Sequence, residues 1–108
     1  MGHGQGKSCS SYEKAPVPVA DYNVTGELTP DATCNYFQAG TFNGKPYYRR
    51  EDGAWHIWFL PIVPRWYISI ELGTVGLAFW YRDSVNVEGI YQPEEDASGI
   101  ATVSAGPH

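Results

Sequence analysis

From Tyr22 onward, turn-forming residues interrupt the chain about every eight to twelve residues, a spacing that leaves room for a strand and its turn but not for a capped helix. The interruptions are Thr29-Pro30-Asp31, Asn43-Gly44, Asp52-Gly53, Pro61 with Pro64, Gly73, Gly76, Gly89 and Gly99, and the segments between them are rich in β-branched and aromatic residues. No segment sustains the 3.6-residue apolar period of an amphipathic helix. Strands are therefore predicted near residues 21–25, 35–39, 46–50, 55–60, 66–71, 77–82, 88–91 and 100–104. The fold class is all-β: a small antiparallel β-sandwich or a barrel-like meander. The sharpest turn signals are Asn43-Gly44 and Asp52-Gly53, because a two-residue hairpin turn needs positive φ, which Asn, Asp and Gly tolerate best.

The 108 residues suffice for one domain. Residues 1–20 differ from the rest, being rich in Gly and Ser before Ala15-Pro16-Val17-Pro18-Val19. Alternating proline fixes φ and removes backbone donors, so this stretch reads as an extended amino-terminal arm. Residues 21–108 form the single β domain. The arm residues Pro16, Val17, Pro18 and Val19 are candidate contacts that order against a partner.

Strand alternation sorts the faces. Trp66, Ile68 and Ile70 fall on one side and are expected in the core. Leu77, Phe79 and Tyr81 lie opposite Ala78, Trp80 and Arg82, and Trp55, Ile57 and Phe59 lie opposite His56, Trp58 and Leu60. Aromatic residues make up 15% of the chain, so the rings left on the second faces either fill another layer or meet another molecule.

Between Trp58 and Trp66 the connection contains Leu60, Pro61, Ile62, Val63 and Pro64, where a polar turn is the ordinary solution. Exposed aliphatic side chains gain nothing from water, so this tip either folds back over the core or contacts another protein.

The sequence offers little for catalysis. His56 is the one histidine inside the domain, and nucleophile-elbow, Walker, dinucleotide and HExxH patterns are absent. Glu94-Glu95-Asp96 reads as a solvated acidic turn without calcium-loop spacing. No enzyme activity, cofactor or metal is expected. A net charge of −5, with Arg49-Arg50 followed at once by Glu51-Asp52, argues against nucleic acid and anionic membranes as partners. The amino terminus lacks the apolar stretch of a signal peptide. Cys9 and Cys34 form one disulfide or remain two thiols, the second being the ordinary state in a reducing compartment. Asn23-Val24-Thr25 matches a glycosylation sequon, a chance match unless the chain enters a eukaryotic secretory route.

Several runs carry a resemblance: Val24-Thr25-Gly26-Glu27-Leu28-Thr29-Pro30-Asp31-Ala32-Thr33, Gly40-Thr41-Phe42-Asn43-Gly44-Lys45-Pro46-Tyr47-Tyr48, Trp55-His56-Ile57-Trp58, Trp66-Tyr67-Ile68-Ser69, Gly89-Ile90-Tyr91-Gln92-Pro93 and residues 97–104. Together they resemble a family of short β-rich proteins and repeats of tailed bacteriophages and some bacteria. The resemblance implies a virion-associated structural role and supplies no catalytic residues. Two departures stand out: glycine is usual in that family where this chain has Cys34, and a polar turn is usual where it has Leu60 to Pro64.

The expected function is that of a non-enzymatic virion structural protein, such as a capsid decoration or other virion-surface protein made in the host cytoplasm. Its expected partners are further copies of itself or other virion proteins. The alternative is a carbohydrate-binding module in which Trp58, Trp80 and Tyr91 present their rings to host-surface glycans.

Overall fold

The computed structural model describes residues 19–107; Cys9 and the arm residues Pro16, Val17 and Pro18 lie outside them. Eight strands follow in order: β1 (Tyr22–Thr25), β2 (Cys34–Phe42), β3 (Lys45–Arg50), β4 (His56–Leu60), β5 (Arg65–Ser69), β6 (Ala78–Arg82), β7 (Gly89–Pro93) and β8 (Ala101–Ala105), with one 3-10 turn at Val75–Leu77 before β6. Each strand pairs antiparallel with the next, and β8 returns to β1 with Val24 opposite Val103, so the meander closes into a barrel rather than splitting into a sandwich. Closure leaves no edge strand among the eight described strands. All eight predicted strands form, with boundaries shifted by a few residues at most.

An eight-stranded barrel is narrow enough for its own side chains to fill it. Val24, Tyr36, Tyr48, Ile57, Phe59, Trp66, Ile68, Trp80, Tyr91, Ala101 and Val103 do so from all eight strands. Asn43-Gly44 makes the expected hairpin between β2 and β3, with φ of 57° and 82°. The Asp52-Gly53 link is longer: the Gly53 amide donates to the Arg50 carbonyl at 2.7 Å, with φ of 80° at Gly53, while the Asp52 carboxylate accepts from Arg50 and from the Ala54 amide.

Simple alternation fails at β6. Ile68 stands opposite Trp80 and Ser69 opposite Ala78, so Phe79 is an extra, bulged residue. The bulge puts the side chains on its two sides out of phase, so that Ala78 faces outward while Phe79 and Trp80 both face the core. Trp80 therefore enters the barrel instead of its outer face, while Tyr81 points outward opposite Tyr67. Ile70, expected in the core with Trp66 and Ile68, lies past the end of β5 and is exposed.

A second layer does form, and this chain supplies it. The segment after β5 folds back over the outer faces of β4 and β5, where Leu72 joins Phe42, Tyr47, Leu60 and Tyr81 around Trp58 and Tyr67. Trp58 Nε1 donates to Ser69 Oγ at 2.8 Å, and that hydroxyl donates to the Glu71 carbonyl at 2.6 Å. Phe42 meets Trp58 edge to face at 5.7 Å.

Two buried tyrosines repeat one device. Tyr36 donates to the Ala32 carbonyl at 2.7 Å and Tyr91 to the Val87 carbonyl at 2.6 Å, each bond reaching back four residues. Burial pushes the phenol pKa of both upward. Two residues before each tyrosine the backbone turns through positive φ, 138° at Gly89 and 101° at Cys34. An arginine holds each turn: Arg82 donates to the Asn86 carbonyl, and Arg50 to the carbonyls of Asp31 and Thr33.

Cys34 thus occupies a backbone conformation that ordinarily favours glycine. Its sulfur is in a disulfide, and Cys9, the other half of the expected pair, lies outside the described residues. Once that bond is absent in both variants, Cys34→Gly is expected to be more stable than Cys34→Ala by about 1 kcal/mol, because only the alanine must hold positive φ. Urea unfolding of the two proteins measures the difference, and equal midpoints would show that this backbone turn carries no strain.

Candidate functional site: the barrel mouth

Antiparallel order gives the barrel two unlike ends. One end carries the connections after β1, β3, β5 and β7 and is closed. The β1–β2 and β7–β8 connections bridge across it through paired backbone bonds between Thr29 and Ser98. Trp55, Leu28 and Ala32 plug it from within. The other end, the mouth, carries the β2–β3, β4–β5 and β6–β7 connections and both ends of the described chain.

The apolar tip of the β4–β5 connection is at this mouth. Pro61, Ile62, Val63 and Pro64 are exposed; Leu60 instead turns down onto the outer aromatic layer. Ile62 is 86% exposed and Val63 48%, and at the same end lie Val19 at 73% and Val85 at 56%. These four aliphatic residues come from three separate segments of sequence. Arg65 braces the base of the tip through an ion pair with Asp83, its guanidinium 4.6 Å from the centre of the Tyr81 ring. Val85 was not singled out in the sequence, although an aliphatic residue within Asp83-Ser84-Val85-Asn86 is the same anomaly as Ile62 and Val63 in their turn.

The mouth also opens into a cleft of about 490 Å³. Tyr22, Tyr48 and Trp66 form its floor, Lys45 and Pro46 one wall, and residues 85–88 the other. Tyr22 and Tyr48 stand nearly perpendicular with centres 4.9 Å apart. Burial, reinforced by the neighbouring Tyr22 hydroxyl, pushes the Tyr48 phenol up to about 12. Lys45 Nζ lies 5.3 Å from the centre of the Phe59 ring.

The second wall is fixed from behind. Three successive carbonyls each accept a bond from a different strand: Val85 from Trp66 Nε1 at 3.0 Å, Asn86 from Arg82 Nε at 3.0 Å and Val87 from Tyr91 Oη at 2.6 Å. The side chains of Asn86 and Glu88 are exposed on this braced segment.

The rings expected to meet glycans are placed elsewhere. Trp80 and Tyr91 are fully buried in the barrel, and Trp58 is covered by the segment after β5, so none offers a face to a sugar. The bulge at Phe79 accounts for Trp80, and the fold-back after β5 accounts for Trp58.

His56 is half-buried on β4 between Arg49 and Ser69 of the flanking strands. Burial and the Arg49 charge lower its pKa below the ordinary imidazole value, against a smaller opposing effect of its contact with the Ser69 backbone. Among the described residues no cluster of three or more His, Cys, Asp or Glu is arranged to hold a metal ion. The sequon residue Asn23 is buried, and its carboxamide donates to the Gly106 carbonyl at 3.0 Å, so it is not displayed for modification. No family model, curated protein or solved structure matches the chain.

Proposed function

We propose that this protein is a non-enzymatic structural subunit of a virion surface that packs against neighbouring copies through the mouth end of its barrel. The observation that carries the reading is the apolar tip of the β4–β5 connection, where adjacent Ile62 and Val63 are exposed between two exposed prolines and Val19 and Val85 are exposed at the same end, although Ile70, Val75 and Ile100 are exposed in the connections of the other end. Exposed apolar residues gathered at one place mark contact surfaces, whereas scattered ones do not. Closure sharpens the point. With no free edge among the described strands, partners there contact side chains rather than add by strand pairing. The resemblance to phage-associated proteins supplies the virion setting, and a symmetric lattice lets many weak contacts hold firmly through avidity.

Light scattering of the purified protein, repeated after Ile62→Asp and Val63→Asp are introduced together, tests this. The expected result is an oligomer that the double variant resolves into folded monomers. A monomeric wild-type protein at high concentration would overturn self-association through the tip.

A further inference from the structure

The mouth cleft has the chemistry of a ligand site, and we propose that it binds a neutral saccharide unit. Its volume of about 490 Å³ lies in the ordinary range of small-ligand pockets, and barrel mouths are a recurrent place for them. The floor and walls divide the work in the way a sugar requires. Tyr22, Pro46 and Val85 offer apolar surface to the C–H faces of a pyranose ring. Lys45 donates to hydroxyl oxygens, Glu88 accepts from hydroxyl protons, and the Asn86 carboxamide does both.

Charge narrows the ligand class. Lys45 and Glu88 bring one charge of each sign to the cleft, and neither forms an ion pair among the described residues. A ligand with net charge would leave one of them facing its own sign, whereas hydroxyl groups satisfy both. The wall is also ready in advance. Three carbonyl bonds to Trp66, Arg82 and Tyr91 hold the segment carrying Asn86 and Glu88, so binding does not have to order it.

This site is distinct from the failed glycan platform of Trp58, Trp80 and Tyr91, and it does not rest on the assembly role. The two meet at one end, however, so the test uses the Ile62→Asp/Val63→Asp protein beside the wild type to tell an occluded mouth from an absent site. Glucose, galactose, mannose and N-acetylglucosamine are titrated while backbone amide shifts are followed by NMR, with glycine betaine as a zwitterionic control. Saturable shifts confined to Tyr22, Lys45 and residues 85–88 are expected with at least one sugar, at a dissociation constant on the order of 1 mM. Lys45→Met and Glu88→Gln, both at the rim, should each weaken binding about tenfold without altering the rest of the spectrum. No saturable shift with any of the four sugars in either protein, equal affinity in the rim variants, or preferential binding of betaine would each overturn the proposal.

Discussion

Trp80→Ala is expected to destabilise the barrel by about 3–5 kcal/mol, because it opens a cavity where a fully buried indole now packs. That is comparable to the whole folding free energy of many domains of this size, about 5–15 kcal/mol. The ring does more than fill volume. It packs against Trp55, with centres 5.9 Å apart, near the closed end, and its Nε1 donates at 2.9 Å to the carbonyl of Gly99 in the β7–β8 connection. Removal therefore empties the core and unfastens the loop that closes it. Trp80→Phe, which restores much of the volume but no donor, should recover the larger part of the loss. Urea unfolding followed by far-UV circular dichroism measures both, and a Trp80→Ala protein within 1 kcal/mol of wild type would mean that the indole is not in the core.

Gly99→Ala is expected to cost about 3 kcal/mol or more, from two causes that act together. The backbone holds φ at 96°, which disfavours any side chain, and a Cβ there would run into the carbonyl oxygen of Glu27. That carbonyl is main chain and cannot swing aside. Gly26 faces the mirror problem, since a Cβ on it would strike the carbonyl of Ile100. The two connections thus lie in mutual contact at the closed end because neither has a side chain there. Since Trp80 bonds to Gly99, the losses in a Trp80→Phe/Gly99→Ala double variant should not add, and a double-mutant cycle reports the coupling. Additive losses would mean that the indole bond and the loop contact stabilise the barrel independently.

How much of this was legible depended on whether local chemistry decided the outcome. The eight strands were, because each is bounded by residues whose backbone preferences are local: Asn43 and Gly44 turn the chain whatever surrounds them. A barrel-like meander was one of the two architectures the sequence allowed, but the choice between it and a sandwich was not legible, since the β1–β8 pairing joins segments some eighty residues apart and leaves no mark on either alone. Face assignment held for β4 and broke at β6, where one bulged residue, Phe79, inverted the pattern. That inversion misplaced Trp80, and with it part of the expected glycan platform.

The tip was visible in the sequence as an aliphatic run where a polar turn belongs, and its side chains other than Leu60 are exposed. The cleft was not visible. It is assembled from the starts of β1, β3 and β5 and from the β6–β7 connection, and only the closed barrel brings Tyr22, Lys45 and Glu88 to one opening. The paired tyrosine devices were hidden for a similar reason, since a phenol bonding back four residues needs a turn whose positive φ at Cys34 no cysteine advertises.

The side-by-side placement of β1 and β8, with Tyr22 opposite Ala105, also governs how the barrel can be carried. The described chain enters the barrel at β1 and leaves it at β8 through a single doorway, at about one strand spacing, 5 Å. A host protein could accept the whole unit within one surface turn, with no need to bridge its length.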